Sequence, residues 1–180
     1  MSTFQIRAAE MNDAQDMAVV RVETWRATYR GMIPDAFLQA LSAEALAENW
    51  RKAFWEDGDR GLGIFVAEDE QNHIVGIAIC GPSQEPDPAY EGEIYVLYVL
   101  PAYQNQGIGR ALVAACARHL TQVMGLKSML VWVIAENPYR RFYESLGGIF
   151  VREKHQEIGG KIITEAGYGW IDIHVLLQES

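Results

Sequence analysis

The chain has 180 residues, 49% of them apolar, and its 24 acidic residues outnumber 15 basic ones. That length and apolar content suit one domain, residues 1–180, with its own core, and they exclude intrinsic disorder. The acidic balance disfavours non-specific nucleic-acid binding and leans toward cationic partners such as amines. No run approaches the ~18 apolar residues of a membrane span, and residues 1–10 lack a charged region followed by an apolar stretch. A soluble, cytoplasmic protein with no membrane partner is expected.

Residues 4–8 alternate as a short strand. Asn12 and Asp13 can cap a helix that carries Ala14, Met17, Ala18, Val22 and Trp25 on one face. Gly31 and Pro34 break the chain, and a second helix is expected from Ser42 to about Trp55. Residues 64–68 and 74–80 read as a strand hairpin across the polar turn 69–73. Residues 81–90 hold Pro82, Pro86 and Pro88 and form a loop. Residues 93–100 are a strong strand, and Pro101 ends its ladder. Gly107 opens a helix with Leu112, Val113, Cys116, Ala117 and Leu120 in register. Residues 128–134 read as a buried strand, and Pro138 suits the first turn of a short helix that stops at Gly147 and Gly148. Residues 149–154 and 171–177 are expected to close the sheet. The fold class is α/β (α+β), a mixed sheet with helices on both faces.

The chemistry centres on Gln104-Asn105-Gln106-Gly107-Ile108-Gly109-Arg110, which follows a strand and opens a helix. Glycines there let the backbone turn tightly and approach a ligand. The free N–H groups of a helix start, with the dipole behind them, bind an anion such as pyrophosphate, and Arg110 adds positive charge. The P-loop pattern fails because no Gly-Lys-Ser/Thr follows. The Rossmann pattern fails because Leu112 stands where its third glycine belongs. A Gly-x-Gly alone also fits a plain turn with close packing. Cys80 and Cys116 show no zinc spacing and read as buried thiols. His73, His119, His155 and His174 are scattered, so no metal is expected. No Gly-x-Ser-x-Gly elbow occurs, and no basic patch with interleaved aromatics suggests nucleic acid.

The loop Gln104-x-x-Gly107-x-Gly109, preceded by the strand 93–100 and Pro101-Ala102-Tyr103, resembles the acetyl-CoA loop of the GCN5-related N-acetyltransferases (GNAT). The segment Asn137-Pro138-Tyr139-Arg140-Arg141-Phe142-Tyr143-Glu144-Ser145-Leu146-Gly147 resembles that family's second motif, in the same order along the chain. The likeness spans about residues 64–154. It implies the acyl-CoA N-acyltransferase fold, mostly antiparallel and splayed between the fourth and fifth strands. It implies acetyl-CoA as co-substrate, with the pantetheine arm in the splay against the backbone of Val99 and Leu100. The pyrophosphate would meet Gln104, Asn105, Gln106, Gly107, Ile108, Gly109 and Arg110, and Asn137 would bond the pantetheine.

The resemblance also implies direct acetyl transfer to an amine. Glu93 resembles the family's base glutamate, and a strand-end carboxylate facing water explains it equally. Tyr143 matches the general acid, with the core as its other reading, and Phe142 is expected in the core. The Val99 N–H would receive the developing oxyanion. Trp25-Arg26-x-x-Tyr29-Arg30-Gly31 resembles a bacterial subgroup that includes polyamine acetyltransferases. Trp25 reads as packing, Tyr29 stays open between packing and an acceptor wall, and Tyr90 and Glu91 are candidate substrate contacts. The acceptor expected is a small cationic amine. A protein N-terminus or lysine, and a non-catalytic acyl-CoA sensor, are the alternatives. A homodimer paired through an apolar strand at 171–177 is the expected assembly.

Overall fold

Alternating stretches and continuous apolar runs become the strands β1 (Gln5–Ala8), β2 (Gly63–Glu68), β3 (Ile74–Pro82), β4 (Gly92–Val99), β5 (Met129–Ile134) and β6 (Ile149–Ile158), and a seventh strand is β7 (Lys161–Trp170). They form one seven-stranded sheet in the order β1-β2-β3-β4-β5-β7-β6. The computed structural model describes residues 3–58 and 61–178. Every neighbouring pair is antiparallel except β4 with β5, which run parallel. Helices α1 (Ala14–Thr28), α2 (Asp35–Ala40), α3 (Ala43–Arg51), α4 (Ile108–Arg118) and α5 (Arg140–Ser145) cover the two faces.

Local chemistry sets the helix starts. The Asp13 carboxylate accepts the Glu10 N–H at 2.7 Å and holds Arg7 at 2.7 Å, while Arg7 Nε reaches Glu68 at 2.8 Å. One side-chain network thus ties α1 to the first two strands. The Arg7 guanidinium also holds the Asp13 carboxyl below its ordinary pKa, against a smaller opposing effect of burial. Ser42 caps α3 by accepting the Ala45 N–H at 3.2 Å. The expected helix at 42–55 is α3 followed by a wider helical turn, Lys52–Glu56. The residues around Pro34, read as a break, also hold the short helix α2.

The sheet divides two apolar layers. Leu112, Val113 and Cys116 of α4, with Leu120 in the helical turn that follows it, pack on Ala78, Ile94, Val131 and Tyr168 on one face. Met17, Ala18 and Val20 of α1 pack with Trp50, Ile77, Ile79 and Val96 on the other. Ile94 and Val96 face opposite layers although they are two residues apart. The reason is a bulge: Ile79 pairs with Val96 and Cys80 with Ile94, which leaves Tyr95 as an extra residue in β4.

Two expectations about the closing strands fail. Residues 171–177 form no strand. Ile173–Leu177 is a short helical turn, with Asp172 accepting the His174 N–H at 3.0 Å and Ile173 buried against the α4 layer. The strand basis for a dimer at 171–177 is therefore gone, and β6 forms that edge of the sheet. The unexpected strand is β7, whose Gly167 and Gly169 mask its periodicity. Both glycines lie under rings: a Cβ on Gly167 would stand 3.0 Å from the Trp132 ring, and one on Gly169 would collide with the Tyr90 ring. Gly169→Ala is expected to destabilise the fold by about 1–3 kcal/mol through overpacking. The urea midpoint checks this, and an unchanged midpoint contradicts the close Tyr90 packing.

Candidate active site

Pairing of β4 with β5 covers only Gly92–Met129, Glu93–Leu130 and Ile94–Val131. Beyond that, β4 stays with β3 and β5 stays with β7, so the sheet opens between them. The gap is a cavity of about 420 Å³. Ile94, Tyr95, Leu97, Tyr98 and Val99 line it from β4, and Val131, Trp132 and Val133 from β5. The Leu100 N–H reaches Val75 O at 2.9 Å, so Val99 and Gly76 face each other as a non-hydrogen-bonded pair. Both main-chain polar groups of Val99 therefore point away from β3, into the gap.

The sequence-expected loop meets this gap. Gln104, Asn105, Gly107, Gly109 and Arg110 line the cavity. The Gln104 side chain donates to Val99 O at 3.0 Å and so fastens the loop to the strand. Asn105 (φ 60°) and Gly107 (φ 87°) take left-handed backbone, which a glycine adopts without Cβ strain. The first helical bond of α4 runs from the Ala111 N–H to Gly107 O at 3.0 Å. The amides of 107–110 thus precede the ladder, at the positive end of the helix dipole. A phosphate group fits that position by charge and by donor supply. Leu100, Gln106 and Ile108 lie off the wall: Gln106 donates to Ala102 O at 3.0 Å, and Ile108 is buried beneath α4.

Asn137, Tyr139, Phe142, Tyr143 and Ser145 line the cavity from the second motif. Asn137 Oδ1 accepts the Tyr139 N–H at 2.9 Å, and Phe142 packs on Gly109. Phe142 and Tyr143 therefore both reach the wall, with ring centroids 5.3 Å apart. Burial raises the Tyr143 phenol, with the nearby Tyr98 adding to the shift. Tyr29 also lines the cavity. Burial pushes its phenol well up, Tyr98 and Tyr143 add to that, and the Asn137 side chain opposes it. Trp25 packs edge-on to Tyr29 at 5.0 Å.

The remaining expected residues sit elsewhere. Tyr90 packs over Gly169, and the Glu91 carboxylate accepts the Lys127 N–H at 2.9 Å. Both stand off the cavity and anchor the loop before β4. Glu93 is 5% exposed, accepts the Gln84 N–H at 3.0 Å, and also stands behind the cavity wall. The bulge turns it to the α1 face of the sheet, away from Leu97 and Val99, which pack toward α4. Its companions there are Lys154, Glu85 and Glu165. Sequence reasoning missed Thr24, Thr28, Tyr95, Tyr98 and Trp132 on that side. Thr24 and Thr28, four apart on α1, were readable as one hydroxyl-bearing face. The rings of β4 and β5 were not, because the bulge and the splay decide where they point.

A family model described as the acetyltransferase (GNAT) family matches residues 23–148. The chain is similar to the uncharacterised N-acetyltransferase YuaI of Bacillus subtilis, 39% identical over 172 residues and covering 95% of each protein. It is also similar to the mycothiol acetyltransferase of Salinispora tropica, 31% identical over 69% of this chain and 44% of that protein. Among solved structures, a Salmonella typhimurium protein with its cofactor acetyl-CoA aligns with a TM-score of 0.69 and 21% identity, covering 99% of this chain and 96% of that one. A variant of the spermidine N-acetyltransferase SpeG from Vibrio cholerae aligns with a TM-score of 0.68 and 20% identity, covering 97% and 96%. At those identities the structural likeness shows the fold.

Burial is the main cause that raises the Glu93 carboxyl above its ordinary 4.5, opposed by the Gln84 N–H and Lys154. A raised carboxyl favours the folded state most below the unfolded pKa and loses that favour as pH rises through the folded pKa. Glu93→Gln cannot ionise, so its stability relative to the parent protein should grow between about pH 4 and about pH 7. Urea unfolding at both pH values checks this. A difference independent of pH contradicts a buried, ionising Glu93.

Proposed function

The chain belongs to the GNAT acetyltransferases, acetyl-CoA-dependent N-acetyltransferases, and we propose that its acceptor is a small cationic amine. The observation that carries this reading is the unequal chemistry of the cavity's two sides. The α4 side offers helix-start amides and Arg110, suited to phosphates. The α1 side offers Tyr95, Tyr98 and Trp132 rings with the Glu93 and Glu165 carboxylates behind them, suited to a cation. The Vibrio neighbour acts on spermidine. Its likeness carries the fold alone, so the acceptor assignment rests on this cavity.

The proposed reaction draws on those positions. The amine must lose a proton before its lone pair can attack the thioester carbonyl. Glu93, behind the wall and raised by burial, takes that proton through a water molecule. A new N–C bond forms as the C–S bond breaks. The Val99 N–H, pointing into the gap, stabilises the carbonyl oxygen as charge develops. Burial keeps the Tyr143 phenol protonated at neutral pH, so it donates to the departing sulfur, which leaves as the thiol. Glu93 then releases its proton to solvent, and the second proton that the nitrogen sheds on becoming a neutral amide passes through water to the Tyr143 phenolate, replacing the one given to sulfur.

Tyr143→Phe is expected to lower kcat roughly a hundredfold or more while CoA affinity stays near that of the parent protein. Steady-state kinetics with a CoA-binding control checks this, and unchanged kcat removes the acid role. The acceptor is tested by thiol release from acetyl-CoA across polyamines, aminoglycosides, amino acids and peptides. Turnover with small polyamines is expected. Turnover confined to peptides points instead to protein acetylation. CoA binding without release by any acceptor points to a sensor.

A further inference from the structure

At the acceptor side, the fold fills a cation site with one of its own side chains. Lys154 Nζ sits 4.3 Å from the centroid of the Trp132 ring, 3.2 Å from Glu85 Oε1 and 3.9 Å from Glu165 Oε2. Strand register assembles this group. Lys154 pairs with Glu165 across β6 and β7, Glu165 pairs with Ile134 of β5, and Trp132 pairs with Gly167. The bare Gly167 lets the Trp132 ring lie against the backbone, with Arg152 5.3 Å from that ring and bonded to Asp87 at 2.6 Å. Glu85 comes from the loop before β4, whose position that Arg152–Asp87 pair also secures. An aromatic face bounded by two carboxylates is the recognition chemistry of an ammonium ion.

Trp132 also lines the cavity, so this residue is shared between the Lys154 group and the cavity wall. A second feature of the same wall points to a ligand. Thr24 is 5% exposed and lines the cavity, and its Oγ1 is buried with no hydrogen-bond partner among the described residues. Buried hydroxyls are normally satisfied, and one left open on a cavity wall is completed when a polar ligand group enters. Thr28, one turn along α1, lines the same wall. Lys154 itself is a flexible side chain with 29% of its surface exposed, so it can leave toward solvent.

We propose that Lys154 holds the place of a second ammonium group of the acceptor, which displaces it from the Trp132 face between Glu85 and Glu165 while the reacting amine lies beside Thr24. The inference deepens the amine reading above and rests on it. The site thereby selects diamines over monoamines of equal length, and Lys154 moderates that selection by competing for the same face.

The test is calorimetric binding of putrescine and butylamine, which share a four-carbon chain, to the full-length protein saturated with CoA. Putrescine should bind about tenfold more tightly than butylamine. Lys154→Met, which removes the competitor, should raise the putrescine-to-butylamine affinity ratio roughly threefold or more, and Lys154→Gln should do the same. Glu165→Gln should lower that ratio about tenfold. Thermal unfolding of each variant confirms that it is folded. No preference for putrescine in the parent protein, including no binding of either amine, overturns the proposal. So does a fall or no change in the ratio with both Lys154 variants. The two readings fail separately: thiol release without a diamine preference sinks this proposal alone, and a diamine preference without thiol release from any amine sinks the transfer reading alone.

Discussion

Parallel pairing between β4 and β5 stops after Ile94 and Val131, and the working parts of the molecule are arranged around that stop. Strands that part leave main-chain groups that no neighbouring strand bonds, and buried groups of that kind demand partners. Gln104 takes one of them, the Val99 carbonyl, and in doing so pins the loop that begins α4. The same departure opens a cavity through the sheet, with α4 at one side and α1 at the other. Two apolar layers hold the strands apart: α4 packs on one face and α1 with α3 on the other, so neither β4 nor β5 can shift to close the gap without exposing a core.

The extra residue in β4 gives the two sides different chemistry. Without the bulge at Tyr95, simple alternation would put Glu93 on the same face as Leu97 and Val99, toward the helix start proposed to hold phosphate. A carboxylate there would oppose the anion it adjoins. With the bulge, Glu93 turns to the α1 face, where Lys154, Glu165 and Glu85 stand. Negative charge gathers at the side suited to an amine, and donor amides gather at the side suited to CoA. In the proposed reaction that separation lets a proton leave on the acceptor side while another reaches sulfur from Tyr143 on the donor side.

Legibility in the sequence followed the range of the interaction. The Gln104-to-Arg110 loop and the Asn137-to-Tyr143 segment were readable because their chemistry is local: left-handed turns, helix starts, and residues a few positions apart. The mostly antiparallel mixed sheet was readable as a class. Thr24 and Thr28 were readable as a pair yet lacked a reason to be singled out, since only the cavity makes their hydroxyls matter. Strand β7 was hidden because Gly167 and Gly169 break its pattern, and those glycines exist to admit Trp132 and Tyr90 from elsewhere in the chain. Residues 171–177 looked like a strand because they are apolar. Ile173 supplies burial to the α4 layer from a helical turn instead, with Asp172 capping it. Tyr90 and Glu91, expected at the substrate, serve to hold a loop.

The sequence by itself determined the donor: a glycine-bearing turn ahead of an amphipathic helix, with a second motif downstream, resembles the GNAT acetyl-CoA motifs, and that likeness is legible because both are short-range patterns. Tertiary structure alone assembled the group proposed to meet the acceptor. Trp132, Lys154, Glu165, Glu85 and Thr24 come from β5, β6, β7, a loop and α1, and no spacing along the chain encodes their meeting. They meet because sheet register, a one-residue bulge and the packing of aromatic rings on glycine backbone bring distant strands into contact, and those are properties of the folded whole.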